Sequence, residues 1–400
     1  MATRLYGTIF YQQENAGTLE QVPDGRFAFT YALSYLAGGG AQIAYTLPRQ
    51  QEPHYSFGLP PLFDNLVAEG WLARAQSRAL GIQADDRFAR LLAFGMDCPG
   101  AVSVIDPRPA RAPNLTVGSE EEIAALVNRA SISGVQPKLF ALRHGNGFRP
   151  AQRGEPSTHI AKLPSAELDG VVELEYLTTI AAAALLPDDH VVPVEVATVE
   201  RLHGPCLLVE RFDRNADGTK IHFEEFNQLL GRPAEAKYEG SYGEMAAFIS
   251  ANQSQQREQD IDRLFRRVLT CILLGNNDAH SKNFALLYTR EGFRLAPFYD
   301  IVAATLYPRF QNSGMALRMA AGTNPRTLSD IGPKHLLLLA HTFNLNEVTL
   351  EVAVNALRRR LPAAEKAIKE SSIGGSQRKK KLTALLRKRW NGTFDSIGRK

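Results

Sequence analysis

Residues 273–300 read LLGNNDAHSKNFALLYTREGFRLAPFYD, and the rest of the chain is organised around them. The apolar run VLTCILL (268–274) leads straight into eight residues that hold Asn276, Asn277, Asp278, His280, Lys282 and Asn283. A second acid, Asp300, closes a further apolar segment seventeen residues beyond Asn283. An aspartate, an asparagine five residues on and a distant second aspartate are the oxygen donors that phosphoryl transfer uses. The first acid orients a hydroxyl nucleophile, while the carboxamide and second acid hold Mg²⁺, a hard cation that needs few protein ligands. The plainer reading of the same residues is a polar loop that caps two buried elements.

Protein kinases share the Asp-x4-Asn spacing followed by a metal-binding Asp, but the His-Arg before the first acid and the Gly after the second are missing here. Outside this stretch, composition sets the bounds. Four hundred residues exceed one ordinary core, so two or three domains are expected. An apolar fraction of 44% with 22% charged residues describes a globular protein. No apolar run approaches the roughly 18 residues that span a bilayer, and the first residues lack the pattern of a signal peptide, so a cytoplasmic protein is expected. Cys98, Cys206 and Cys271 are far apart in apolar surroundings and read as reduced core residues, with neither disulfides nor a zinc site. The net charge of +4 hides an asymmetry: residues 371–400 carry +8, leaving −4 on the rest. Such a tail either contacts nucleic-acid phosphates or forms the solvated face of a last helix around LTALLRKRW, and the second is favoured.

In chain order, RLYGTIFY (4–11) and FAFTYALSYL (27–36) predict a strand and a strand turning into a helix, and AQIAYTLP (41–48) a third strand. PPLFDNLVAEGWLARAQSRALG has helical spacing, Asp85-Asp86 caps a helix RFARLLAFG, and AVSVI is a strand before the Pro-rich 106–114, the expected boundary. Nothing in these 110 residues looks catalytic. After a helix at EEEIAALVNRA comes SISGVQPKLF, whose serine-bearing turn around one glycine would let backbone amides approach a phosphate, although a hairpin turn looks the same. HIAKLPS places Lys162 on a short strand, where a half-buried ammonium wants an anion such as an ATP phosphate. The helix VVELEYLTTIAAAALL offers Glu173 or Glu175 to hold that lysine. HVVPVEVATVE and GPCLLVERFDR alternate like strands, with the charged ERFDR as the hand-over to a linker. Beyond about residue 220 the chain reads as mostly helical, in FEEFNQLLG, GEMAAFISANQ, DIDRLFRRVLTCILLG and HLLLLAHTFNL, with short strands at FALLY and GFRLAPF flanking the loop.

Taken together, SISGVQPKLF, HIAKLPS, VERFDR, KYEGSYGEM, LLGNNDAHSKNFALLY and LAPFYDIV resemble the HipA-type serine/threonine kinases, the toxin halves of bacterial toxin–antitoxin pairs. The likeness covers almost the whole chain. It implies an α+β, bilobal protein-kinase-like fold, with a strand-rich N-lobe and a helical C-lobe. A small α+β N-terminal subdomain (1–110) would precede the N-lobe (111–213) and the C-lobe with its basic tail (214–400).

On the resemblance, Asp278 orients the substrate hydroxyl, Asn283 and Asp300 ligate Mg²⁺, and His280 and Lys282 order the loop and its phosphate charge. Lys162 contacts ATP, with Glu210 and Phe212 at the adenine hinge and Gly134 and Gln136 in the phosphate loop. Ser131 matches the family's autophosphorylated serine, and Ser133 is a second candidate. A phosphate there would add about −1.5 to −2 charges and could draw the loop out of the ATP site. The implied partners are a helix-turn-helix, HipB-like antitoxin, operator DNA through that antitoxin, and a translation-related protein substrate such as an aminoacyl-tRNA synthetase, whose modification halts growth. Two other functions share these residues: a small-molecule kinase for an aminoglycoside or choline-like alcohol, and a corepressor scaffold without chemistry. The first lacks a matching acidic pocket in the sequence, and the complete set of expected catalytic residues speaks against the second.

Overall fold

The computed structural model describes residues 5–108, 113–116, 118–129, 131–132, 134, 136–252 and 256–398. The chain divides into two units, residues 1–163 with 197–236 and residues 164–196 with 237–400.

The first unit opens on a sheet of β1 (Tyr6–Tyr11), β2 (Glu14–Gln21), β3 (Phe27–Tyr31), β4 (His54–Ser56) and β5 (Val102–Ile105), ordered β4-β3-β2-β1-β5. Side chains alternate across its faces, so Ile9, Leu19 and Phe29 are buried, with Leu19 directly opposite Phe29. Three helices cover that face, α1 (Leu33–Ala37), α2 (Pro61–Leu66) and α4 (Arg87–Phe94), while α3 (Gly70–Leu80) turns its buried side to the core of the next sheet. The expected cap of α4 is present, with the Asp86 carboxylate accepting from Ala89 N at 3.0 Å. The long helix expected across 60–81 is two helices, because Val67 and Glu69 are extended between them. Residues 41–48 form no strand. Their backbone goes to a side chain instead: Ile43 N donates to the Tyr31 hydroxyl (3.2 Å), which donates to Leu47 O (2.7 Å).

α5 (Glu120–Val127) starts on a capping box, Ser119 with Glu122, and leads to a second sheet. That sheet contains β6 (Lys138–His144), β7 (Gly147–Pro150) and β8 (His159–Lys162). After β8 the chain leaves through α6 (Val171–Leu185) and returns along β9 (Val194–Thr198) and β10 (Pro205–Glu210), giving the order β7-β6-β8-β10-β9. Leu139, Phe140, Ala161, Cys206 and Leu208 form its core with Leu72 and Leu126 of α3 and α5. ERFDR, expected as the hand-over to a linker, opens a buried cluster of paired charges. Arg211 reaches Asp213 (2.7 and 2.9 Å), Ser157 (2.6 Å) and Asp97 (3.2 Å), and Arg214 bridges Asp97 and Asp213 at 2.7 Å each. The unit ends with β11 (Phe223–Glu225) and the single turn α7 (Phe226–Leu229).

The second unit is helical, as expected: α6 with α8 (Tyr242–Ala251), α9 (Arg257–Leu274), α10 (Pro333–Thr342), α11 (Glu347–Glu370) and α12 (Ser376–Arg389), plus a hairpin of β12 (Ala285–Thr289) and β13 (Gly292–Leu295). α9 is its axis. From Val268 to Leu274 every residue is buried, which is why this stretch shows no amphipathic period. Its Arg267 guanidinium is buried too, held by both Asp189 oxygens (2.6 and 2.7 Å) and by Ala296 O (2.7 Å). The tail forms the expected last helix. α12 buries Leu382 and Leu386, Trp390 follows them inward, and Lys380, Lys381, Arg387 and Lys388 face solvent. All three cysteines are free and buried. Among the described residues no helix is long and apolar enough to cross a membrane.

Candidate active site

The C-terminus of α9 delivers the chain to the loop. Gly275 ends the helix with φ +79°, and a Cβ there would meet Thr305 and Leu385 side-chain atoms at 2.5 Å, so only glycine serves. Asn276 N then turns back to Cys271 O (2.9 Å), and the Asn276 carboxamide accepts from Asp278 N (3.2 Å). Asn277 donates to Phe310 O (3.0 Å) and Ser313 O (3.2 Å). These two asparagines are the capping residues of the plainer reading, and the next residues are not. His280 N donates to Asn283 Oδ1 (2.9 Å) and His280 Nδ1 accepts from Lys282 N (3.3 Å), winding residues Ser281–Asn283 into one 3₁₀ turn. That turn points Asn283 Nδ2 at Asp300 Oδ2, 2.7 Å away.

Asp300 arrives from β13 with φ +58°, a left-handed backbone that a non-glycine residue adopts at a cost of order 1–3 kcal/mol. Tyr299 before it helps hold it there, its hydroxyl donating to Lys282 O at 2.8 Å. Asp278 is exposed to solvent. Crowding by protein atoms, and then the Asp300 charge, push its carboxyl up to about 6, while a hydrogen bond from Tyr238 and the Lys237 charge pull the other way. Tyr238 Oη lies 3.1 Å from Asp278 Oδ1.

In the first unit, β8 sets Lys162 directly opposite Lys138 of β6, so both side chains stand on one face of the sheet, and both are buried. Gly134 has φ +116°, and a Cβ on it would collide with the Lys138 ammonium, so glycine lets the turn lie against that lysine. Gln136 ties the turn to the end of β8 through Leu163 O (2.9 Å). Ser131 is buried, its hydroxyl donating to Leu66 O at 2.6 Å. Ser133 lies outside the described residues. Glu210 is exposed at the end of β10, and Phe212 packs on Phe223 with ring centroids 4.9 Å apart.

Comparison with known proteins gives the family. The family description "HipA-like C-terminal domain" matches residues 130–367, and "HipA N-terminal domain" matches 7–105. The chain belongs to the HipA family of kinases. Among HipA relatives, the kinase-designated Y4dM protein of Sinorhizobium fredii (strain NBRC 101917 / NGR234) is 31% identical over 330 residues, 76% of this chain and 77% of that one. The serine/threonine-protein kinase toxin HipA of Shewanella oneidensis (strain MR-1) is 29% identical over 275 residues, 58% of this chain and 60% of that one. A solved complex of the Shewanella oneidensis MR-1 toxin–antitoxin system, HipA with HipB and its operator DNA, has the same HipA fold. The TM-score is 0.78 at 21% identity, covering 98% of this chain and 99% of that one. The fold is therefore α+β and kinase-like.

Within this HipA-family frame, the second unit brings Asp278, His280, Lys282, Asn283 and Asp300 together, and the first assembles Lys162, Gly134 and Gln136. Three residues at these places are not anticipated from the sequence. Lys138 reads as one more basic residue of a strand until the β6–β8 register pairs it with Lys162. Lys237 and Tyr238 sit in KYEGSYGEM, recognisable as a motif, but nothing in the sequence says that they stand beside a loop forty residues later.

Proposed function

We propose that this HipA-family chain is an ATP-dependent serine/threonine protein kinase and the toxin of a toxin–antitoxin pair. The carrying observation is the contact between Asn283 and Asp300 at 2.7 Å, with Asp278 near enough for the Asp300 charge to help raise its carboxyl to about 6. Two acids that repel one another, with a carboxamide between, are a donor set for a hard divalent cation. Mg²⁺ takes most of its ligands from water and phosphate, so two protein oxygens are enough. Asp300 and the second lone pair of Asn283 Oδ1 would hold it, and it would neutralise charge on the transferring phosphate. Asp278, once ionised, accepts the proton of the acceptor hydroxyl and keeps that oxygen in line, and Lys282 with His280 orders the loop. Lys162 and Lys138 bind the ATP phosphates, Gly134 and Gln136 shape the phosphate loop, and Glu210 and Phe212 form the adenine hinge.

The finer assignments follow the family resemblance. Ser131, or Ser133, is the site of inactivating autophosphorylation. Ser131 cannot accept a phosphate while its hydroxyl is buried on Leu66, so modification requires the segment to leave that place. The partner is a helix-turn-helix, HipB-like antitoxin that carries the complex to operator DNA, and the substrate is a translation protein such as an aminoacyl-tRNA synthetase. The likeness to a Shewanella oneidensis HipA solved together with HipB and operator DNA supports the partner. The test is transfer from γ-labelled ATP in a cell lysate. A labelled protein band with wild type, absent with Asp278→Ala, is expected; label in small molecules alone would overturn the proposal.

A further inference from the structure

Tyr238 is half exposed, and it is the one large aromatic among the exposed described residues whose hydroxyl is hydrogen-bonded to an acid of the candidate site. It is not loosely held. Its ring stands edge-on to His280, centroids 5.2 Å apart at 87°, and the Lys237 ammonium lies 5.4 Å over its face. One residue earlier, Lys237 O accepts from the buried Ser281 hydroxyl at 2.9 Å, so the turn Ala234–Tyr238 is fastened to the 3₁₀ turn of the loop. The backbone of Asp278 is fixed separately, by its N–H on Asn276. What remains is rotation of the Asp278 carboxylate about its own side-chain bonds, and the Tyr238 hydroxyl takes Oδ1. Oδ2 is then the oxygen available to an acceptor hydroxyl.

We propose that Tyr238 is a positioning residue for phosphoryl transfer: its hydroxyl fixes one oxygen of Asp278 so that the other meets the incoming serine or threonine. This rests on the reading of Asp278 as the group that orients the acceptor. A surface tyrosine that merely met the nearest acid would contribute to stability only; a positioning tyrosine acts on turnover, because misplacing a reacting group by about 1 Å costs roughly 100-fold.

The experiment measures steady-state transfer from γ-labelled ATP with Mg²⁺ to casein and to the chain's own serines, using the full chain as wild type, Tyr238→Phe, Asp278→Asn and the double variant. Phenylalanine keeps the ring against His280 and Lys237 and removes only the hydroxyl. Tyr238→Phe should lower kcat by roughly 10- to 100-fold, with the KM for ATP within about twofold and Tm unchanged, and the double variant should be no slower than Asp278→Asn. An unchanged kcat in Tyr238→Phe, a loss carried wholly by the KM for ATP, or a double variant about tenfold slower than Asp278→Asn would each overturn the inference. Wild-type turnover in Asp278→Asn would instead remove the reading of Asp278, and the role of Tyr238 with it.

Discussion

Asp278 is the residue on which the proposed chemistry turns, and its surroundings make two demands of it. Crowding and Asp300 favour the neutral acid, whereas accepting a proton needs the carboxylate. With the carboxyl at about 6, the competent form grows as pH rises through that value. Transfer by wild type should therefore climb about tenfold per pH unit below that value and level off above it, and rate measurements from about pH 5 to 8 check this. Asp278→Asn should lose about 10²- to 10⁴-fold in rate. It should also raise Tm at about pH 7, because a carboxyl whose folded pKa is raised destabilises the fold once ionised. Elsewhere the charge logic is reversed. Burial alone would push the Asp213 carboxyl up, but Arg211 and Arg214 outweigh it and hold the group below the ordinary range. Arg211→Met leaves Asp97 and Asp213 short of a cation and should cost about 3–5 kcal/mol in urea unfolding.

At the scale of elements, α12 shows how a charged tail can belong to a core. Its basic residues invite a nucleic-acid reading, but Arg387 is taken by Glu365 of α11, with two contacts of 2.6 Å, and Arg378 lies near Asp169 and Glu173. Leu382, Leu386 and Trp390 are buried beneath. Removing residues 371–400 would therefore open the second unit as well as discharge it. Leu386→Ala should cost about 2–5 kcal/mol, whereas alanine at the exposed Lys380, Lys381 and Lys388 should leave Tm unchanged. The triple variant is thus the clean probe of DNA retention with the antitoxin. Unchanged retention and unchanged salt dependence would make the helix purely structural. The Glu365 carboxyl is pulled down to about 2, chiefly by its hydrogen bond from Arg387. The stability this gives is present above the ordinary carboxylate range and is lost as pH falls towards about 2, so hydrogen exchange in α12 should accelerate over that interval.

For the whole molecule, the proposed function makes nucleotide a stabilising ligand. The paired lysines belong to the first unit and the Asn283–Asp300 pair to the second. ATP with Mg²⁺ should raise the melting temperature, with stabilisation of about 2.7 kcal/mol at about a hundred times Kd. Lys162→Ala should lose most of that shift, while Asp278→Asn keeps it, since the role proposed for Asp278 is on the acceptor hydroxyl and not on the nucleotide. Differential scanning fluorimetry with and without nucleotide separates the two.

Local pattern was enough for the family, for the loop from Asn276 to Asn283 with its partner Asp300, and for most strands and helices, because each is written in contiguous residues whose spacing carries the signal. It was not enough where a distant group takes over. Residues 41–48 have the composition of a strand, yet side chains take their backbone groups: the Tyr31 hydroxyl those of Ile43 and Leu47, the Tyr35 hydroxyl that of Ala41, and Glu224 that of Tyr45. β2 passes unnoticed because ENAGTLEQ is polar, and α11 because Pro362 within it reads as a stop. ERFDR looks like linker until four charges close on one another. The pairing of Lys138 with Lys162 and the reach of Tyr238 to Asp278 likewise exist only after folding: register and packing, which no short window contains, decide which polar groups meet.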